Sequence, residues 1–388
     1  MRFVKHVEGA TSLLVPALSL TRVPPPTSPV FFNPAASLNR DVSVAITEAT
    51  GGSTFCDAMS GVGARGVRVA KEVGHVKRVA LVDINKGALR AARRSSVLNR
   101  VAGKCEFSSS ETRSYLFSRY SGDEKFDYVD LDPFGTPVRR LQAGVWATSA
   151  GGVLSVTATD TAVLCGVYPR VSRRRYGASS LSCHFSHETG IRVLIGALAR
   201  AAAQMDTGVE PVFAHSTRHY IRVFVKVNPG ASRADEALGR LGYVTWCPHC
   251  GTASVSESLQ STCSACGKRA KVAGPLWVQG LTAPRVLKEA AEAAAGMGLA
   301  SAARLIRSVE GLDGFPPWSY SIEKASSSLG VATVPEQLVL RHLAGGGWKA
   351  MRTPFEKTGI KSDASYADFL SAVKSSMSST RAEGLRPA

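Results

Sequence analysis

Apolar and polar positions follow two rhythms along this chain, and the switching between them outlines the fold. Short apolar runs at Ser53–Asp57, Arg78–Asp83, Phe126–Asp130, Gly152–Thr157 and Tyr220–Val227 read as strands. Segments between them have helical character and predict helices over about 38–50, 63–73, 86–98, 137–148 and 187–204. Strands alternating with helices predict an α/β domain, doubly wound, with a mostly parallel sheet covered on both faces. Residues 1–30 read as an irregular or strand-rich lead-in ending at the turn-like Val23-Pro24-Pro25-Pro26. The alternation stops near 228, where Asn228-Pro229-Gly230-Ala231-Ser232-Arg233 is turn-rich. The expected domains are therefore 1–228 and a smaller α+β C-terminal domain, 229–388. In the latter, an Ala-rich helix over 287–308, a helix–helix–strand region to about 376 and a frayed tail from Ser375 to Ala388 are expected. No internal repeat is visible.

Composition narrows the class. The 388 residues are 44% apolar and 20% charged, which makes a globular chain with room for two domains and a sizeable core. Lys and Arg number 47 against 30 Asp and Glu, for a net charge of +17. Such an excess favours a polyanionic partner, nucleic acid first, although a solvated basic surface gives the same balance. No apolar run reaches the roughly 18 residues that suggest a membrane span. The run Leu13–Leu20 is broken by Pro16, follows Glu8 and leads to no Ala-x-Ala-like site, which argues against a signal peptide. Of eight cysteines, Cys56, Cys105, Cys165 and Cys183 are scattered and four form two close pairs. That is a poor disulfide framework and fits a reducing compartment. The expectation is a soluble, cytoplasmic protein with no membrane or protein partner implied.

Candidate chemistry gathers at strand ends. Asp57-Ala58-Met59-Ser60-Gly61-Val62-Gly63-Ala64-Arg65-Gly66 follows a strand and opens a helix, and its glycines permit a tight turn and close approach of a ligand. Asp83 ends the next strand, where a carboxylate can accept hydrogen bonds from ribose hydroxyls. This half of the fold serves nicotinamide dehydrogenases and S-adenosylmethionine enzymes alike; Asp57, ending the first strand, is the acidic residue of the second kind. Asp130-Leu131-Asp132-Pro133-Phe134-Gly135 adds a carboxylate–proline–aromatic turn at a third strand end. A dehydrogenase has no need of it. An enzyme methylating a nucleobase amine does, because the carboxylate can orient the amine and take up its proton while an aromatic face holds the base. Phe31-Phe32-Asn33-Pro34 with Asn39-Arg40-Asp41 reads, by itself, as a loop and a helix cap. Arg170, Arg173, Arg174 and Arg175 suit phosphate contacts or a solvated loop. Cys247 and Cys250, followed by Cys263 and Cys266, form C-x2-C-x12-C-x2-C, which closes a four-thiolate structural zinc site; His249 is an outside candidate that the fourth thiolate makes unnecessary.

The ordered set of these stretches resembles one family, the tRNA guanine-26 N2-dimethyltransferases of archaea and eukaryotes. Val30–Pro34, Leu38–Asp41, Cys56–Ala58 into Gly63–Gly66, and Asp130–Gly135 carry the resemblance. Val156–Asp160, Leu164–Gly166, His187–Gly190, Gly274–Trp277, Arg352–Phe355 and Thr358–Lys361 extend it from about residue 5 to about 375. It implies a methyltransferase using S-adenosylmethionine, with tRNA as partner and N2 of guanine 26 as target, methylated once or twice. On matching positions, Asp132 becomes the catalytic carboxylate and Phe31 and Phe134 the base clamp. Arg40, Arg65 and Asp83 become cofactor contacts, with Glu111 and Thr112 flanking the adenine, where the family often has Asp-Ala. Three rivals stay open: a guanine N2-methyltransferase acting elsewhere on tRNA or on rRNA, an NAD-dependent dehydrogenase, and a non-catalytic zinc-and-RNA-binding module.

Overall fold

The protein is described from a computed structural model that covers residues 1–119 and 124–382. Strands β1 (Phe3–Glu8) and β2 (Thr11–Pro16) form an N-terminal hairpin. The large sheet contains β3 (Thr54–Asp57), β4 (Arg78–Val82), β5 (Cys105–Ser108), β6 (Phe126–Leu131), β7 (Thr148–Ala158), β8 (Thr207–Thr217) and β9 (Tyr220–Pro229). Their order is β5-β4-β3-β6-β7-β9-β8. The five strands β3 to β7 pair in parallel, and β9 runs antiparallel to both β7 and β8. A reversed hairpin thus ends the sheet, where the dinucleotide-binding order stays parallel throughout.

Burial on both faces explains why the central strands are continuous apolar runs. Phe55 and Cys56 on β3, Val79 to Val82 on β4, and Tyr128, Val129 and Leu131 on β6 are all buried. Helices Ala64–Glu72, Lys86–Leu98, Thr112–Phe117 and Leu141–Ala147 connect successive parallel strands. Asn85 starts the second of these by accepting from the N–H groups of Gly87 and Ala88. Gly63 begins the first at φ +76°, and a Cβ there would sit 2.7 Å from the Ala92 side chain, so two helices meet where only glycine fits. The N-terminal hairpin docks on Lys86–Leu98 through Ser95 and through Asn99, whose amide bonds both the N–H and the carbonyl of Ser12.

Several elements differ from expectation. The helix expected over 137–148 begins as a 3-10 turn, Val138–Arg140, and is α-helical only over Leu141–Ala147, because β7 starts at Thr148. The helix expected over 287–308 is two, Pro284–Gly296 and Ala300–Arg307, parted where Gly298 takes φ +73°. The arginine-rich loop is a helix, Pro169–Tyr176. Residues 375–382 are helical, within Tyr366–Ala382, and 383–388 lie outside the described residues.

Beyond β9, strands β10 (Leu241–Trp246), β11 (Ala253–Ser256) and β12 (Lys271–Trp277) form a sheet of order β11-β10-β12. Strands β13 (Tyr320–Ser321), β14 (Ala350–Arg352) and β15 (Gly359–Ser362) form another, of order β13-β15-β14. One apolar core runs from Leu13 to Phe355, across residue 229. Helix Pro284–Gly296 packs on helix Ser37–Thr50, and β12 packs on helix Ser186–Ala203. A smaller core surrounds Tyr320, Leu343 and Phe369.

A buried ion cluster ties the last strand to the large sheet's helix. Lys361 Nζ on β15 donates to Glu188 Oε1 and to the Pro316 carbonyl, each at 2.6 Å. Arg192 donates to the same Glu188 oxygen at 2.8 and 3.0 Å and to the carbonyls of Trp277 and Gln279. Burial pushes the Lys361 ammonium down to about 8, although the Glu188 charge opposes it. With two cations on one carboxylate, the outcome of mutation is asymmetric. Lys361→Met leaves a neutral Arg192–Glu188 pair and costs little, whereas Glu188→Ala strands two buried cations and destabilises by about 3–5 kcal/mol. Urea unfolding of the two variants checks this; equal losses would contradict it.

Candidate active site and metal centre

The carboxyl ends of β3, β4, β5 and β6 meet at one edge, and backbone bonds lace them together. The Ala58 N–H donates to the Asp130 carbonyl at 3.1 Å, and Ser60 N–H to the Val82 carbonyl at 2.9 Å. Asp57 accepts from Gly66 N–H at 3.0 Å, closing the glycine turn. Burial raises the Asp57 carboxyl to about 7, with the Arg65 charge opposing and Asp130 adding to the rise. Asp83 accepts from Gly61 N–H and from Asn85 N–H, both at 2.8 Å. Each carboxylate oxygen keeps a lone pair for a diol. Glu111 caps helix Thr112–Phe117 by accepting from Arg113 and Ser114, and Thr112 Oγ1 donates to the Ala58 carbonyl at 2.9 Å. The expected residues Asp57, Asp83, Glu111, Thr112 and Asp132 thus share this edge.

Arg40 and Arg65 each hold protein partners in this structure. Arg40 forms a two-pronged pair with Glu8, at 2.5 and 2.7 Å, and donates to the Asn33 carbonyl at 3.0 Å. It therefore ties the N-terminal hairpin to the Phe31–Asn33 loop. Arg65, nearly fully buried, bridges two aspartates: Nη2 binds Asp132 Oδ2, and Nε lies 3.2 Å from Asp130 Oδ1. Asp132 is 31% exposed along its side chain, and its Oδ1 makes no hydrogen bond among the described residues. One oxygen is pinned and the other is offered to a ligand.

Beneath lies a network whose pairings the sequence does not reveal. Asp130 and Arg222 are fully buried and paired to each other. Arg222 also donates to Thr157 Oγ1 at 2.5 Å and lies within hydrogen-bond distance of Ser43 and Ser155 hydroxyls, at 2.9 and 3.0 Å. Ser43 is shared, because Arg65 Nη1 also donates to it. Burial alone would raise the Asp130 carboxyl, but the Arg222 and Arg65 charges outweigh it and hold it below the usual carboxylate range. Two arginines and two aspartates balance to zero, which makes the burial tolerable. The available signal was one arginine inside the apolar run Tyr220–Val227.

Phe31 and Phe134 touch edge-to-face, with ring centroids 4.9 Å apart and planes at 74°. Phe134 is 71% exposed. A base stacked between two rings needs about 7 Å, twice a van der Waals contact, so this pair is closed on itself, with Phe134 on the solvent side.

Next to this network, His215 on β8 is buried against Phe213 and Tyr220, with Nδ1 2.8 Å from Thr217 Oγ1. Burial and the nearby Arg222 charge lower its pKa from 6.5 to about 3. The unfolded chain therefore takes up a proton below pH 6.5 that the fold refuses until about pH 3. The stability this gives is present above 6.5 and lost as pH falls through that window, by about 1.4 kcal/mol per pH unit at most. Asp57, raised in the fold, contributes with the opposite sign between 3.8 and about 7. Subtracting the urea-unfolding profile of His215→Gln from that of the unaltered protein isolates the histidine. The difference should tilt against the unaltered protein below pH 6.5; parallel profiles would refute it.

The four paired cysteines converge on β10–β12. Their sulfurs all lie within 4.8 Å of one another, with Cys247–Cys266 and Cys250–Cys263 each at 3.6 Å. That spacing is far beyond a disulfide bond and near the roughly 3.8 Å edge of a tetrahedron with 2.3 Å zinc–sulfur bonds. The two knuckles repeat one backbone pattern: Gly251 N–H bonds Cys247 O, and Gly267 N–H bonds Cys263 O, both at 2.9 Å. The donor set fits a closed structural zinc site with no position left for substrate. Gly251 also lies against the Tyr366 ring, 2.0 Å from where a Cβ would stand, so the first knuckle seats on the C-terminal helix. Among the described residues, no helix is long and apolar enough to cross a membrane.

The mixed sheet and its carboxylate–aromatic edge define a methyltransferase of the α/β class. Residues 9–374 match the family profile described as N2,N2-dimethylguanosine tRNA methyltransferase. The chain belongs to that family. It is 38% identical, over 93% of its length and 94% of the relative's, to the tRNA (guanine(26)-N(2))-dimethyltransferase of Methanopyrus kandleri. The enzyme of that name from Pyrococcus horikoshii is 30% identical, over 96% of this chain and 99% of the relative. The solved complex of Trm1 from Pyrococcus horikoshii with S-adenosyl-L-methionine superposes with a TM-score of 0.85 at 29% identity, covering 95% of this chain and 99% of that one.

Proposed function

We propose that the protein transfers methyl groups from S-adenosylmethionine to N2 of guanine 26 in tRNA. The observation that carries this reading is family membership over nearly the whole chain, joined to an aspartate at the β6 end with one oxygen pinned and one free. In this reading Arg40, Asp57, Arg65, Asp83, Glu111 and Thr112, around the glycine turn Gly61–Gly66, hold the methyl donor, Asp83 through its remaining lone pairs on the ribose hydroxyls. The donor, when bound, supplies an activated methyl on a sulfonium.

The chain's own work is alignment and proton handling. A guanine 2-amino group has its lone pair delocalised into the ring and is a weak nucleophile. The free Oδ1 of Asp132 would accept one N–H, orient the nitrogen, and take the proton released as the N–C bond forms and the methyl–sulfur bond breaks, its electron pair leaving on the thioether sulfur. Arg65 fixes Oδ2 so that the carboxylate does not rotate away. Phe31 and Phe134 grip the base once it leaves its stack. Residues 1–228 form the catalytic domain and 229–388, with zinc as a structural ion, the tRNA-binding domain. The eight cysteines, none of them in a disulfide, fit a reducing compartment such as the cytoplasm.

The test is methyl transfer from labelled S-adenosylmethionine to a tRNA transcript carrying guanine or adenine at position 26. Label with guanine and none with adenine supports the reading. Label with both moves the target to another guanine, and label with neither overturns it.

A further inference from the structure

The segment that follows β7 carries four arginines in one eight-residue helix, and the functional site leaves it without a task. Val167 and Tyr168 are exposed, at 59% and 56%. Helix Pro169–Tyr176 follows, with Arg170, Arg173, Arg174 and Arg175 all exposed and only Ser172 and Tyr176 buried. The buried pair anchors the helix: Ser172 Oγ donates to the Ala178 carbonyl at 2.9 Å, and Tyr176 OH donates to Asp160 Oδ1 at 2.5 Å. Arg200 holds the Tyr176 carbonyl at 2.6 Å. The arginines are therefore carried on a fixed support.

Hydrogen bonds run from this support to the Asp132–Phe134 turn. Asp160 follows Thr159, which is bonded twice to Gly135: Gly135 N–H donates to Thr159 Oγ1 at 2.7 Å, and Thr159 N–H to the Gly135 carbonyl at 3.0 Å. Gly135 adjoins Phe134, the exposed ring of the pair. The basic helix is thus laced to the loop that bears the aromatic and the carboxylate.

Two of its four arginines have protein partners and two do not. Arg175 pairs with Asp160 at 3.1 Å, and Arg173 bonds the Ser179 hydroxyl at 3.1 and 3.2 Å. Arg170 and Arg174 make no ion pair with any described residue, and they stand one helical turn apart on one face. Like charges at that spacing destabilise a helix unless an anion lies across them. An exposed aromatic ring beside two unpaired arginines matches the chemistry of an RNA strand with accessible bases and phosphates.

Resting on the methyltransferase reading above, we propose that Tyr168 and helix Pro169–Tyr176 form the ledge that grips the tRNA strand flanking the target guanine. Arg170 and Arg174 bind its phosphates, and Tyr168 stacks on a neighbouring base. The ledge holds the strand while the guanine turns into the Phe31–Phe134 pair.

The experiment measures tRNA binding by the full chain at 50–300 mM salt, alongside methylation of the same transcript. The variants are Arg170→Ala with Arg174→Ala, Tyr168→Ala, and Arg94→Ala, on helix Lys86–Leu98, as an exposed-arginine control. The double variant should bind about tenfold or more weakly, and its log-affinity against log-salt slope should fall by about 1.5 to 2, the loss of two phosphate contacts. Tyr168→Ala should weaken binding by about tenfold with the slope unchanged, because stacking releases no counterions. Arg94→Ala should change neither, and all should bind S-adenosylmethionine alike. Unaltered affinity and slope in the double variant, with methylation by the unaltered protein intact, would overturn the ledge and leave the functional reading standing. No methylation of tRNA by the unaltered protein would overturn both.

Discussion

Asp132→Asn should lower methyl transfer by about 10²- to 10⁴-fold, the range spanned by a positioned general base, while S-adenosylmethionine binds within a few-fold of normal. The substitution keeps the shape of the side chain and removes one proton acceptor. Arg65 retains Asp130 as a partner, so the buried guanidinium is not left unpaired. The loss should therefore fall on the chemical step. Single-turnover transfer of labelled methyl at saturating tRNA reads that step, and calorimetry with the methyl donor reads the other half. A mutant within threefold of normal turnover would remove Asp132 from the mechanism, and a collapse of donor binding would make it a structural residue instead.

Cys263→Ser should have the second largest effect. Purified protein is expected to carry one equivalent of zinc, and the variant to lose it. In isolated zinc peptides the metal contributes about 10–16 kcal/mol to folding. Here the β10–β12 ladder and its packing on helix Ser186–Ala203 already support the region, so the expected loss is a fraction of that, about 3–5 kcal/mol. The damage should appear as protease cutting within 247–270 and lost grip on tRNA, with donor binding retained at the separate carboxyl edge. Metal analysis, limited proteolysis and donor titration of one preparation decide it. Full metal content in the variant would show that three thiolates suffice.

What could be read in the sequence was what is local. The Asp57–Gly66 turn, Asp83, the Asp132-Pro133-Phe134 turn and the cysteine spacing each declare themselves within about twenty residues, and the structure places the first three on one edge. Strand β8 was missed because Pro211 interrupts its alternation at a register shift against β9. Helix Pro169–Tyr176 was missed because only Ser172 and Tyr176 are buried, which leaves no apolar period to find. The Arg65–Asp130–Arg222 network is hidden for a different reason. Asp130 and Arg222 lie 92 positions apart, and they meet only because β6 and β9 both pair with β7. Sequence spacing carries no trace of such a meeting. The commitment of Arg40 to Glu8 is hidden in the same way, since the hairpin that brings Glu8 has no helical or turn signature pointing at residue 40.

With the base clamp proposed above, the closed pair of Phe31 and Phe134 makes base capture an exchange rather than an addition. Ring-on-ring contact contributes about 0.5–1.5 kcal/mol, and it is surrendered when a guest arrives. Two stacking contacts replace it, at about 1–3 kcal/mol each, while the guest forfeits a few kcal/mol by leaving its own helix. Gains and losses nearly cancel. A purine has little reason to linger in such a turnstile, so residence must be set by how the rest of the polynucleotide is held, and the methylated product can leave as easily as the substrate came.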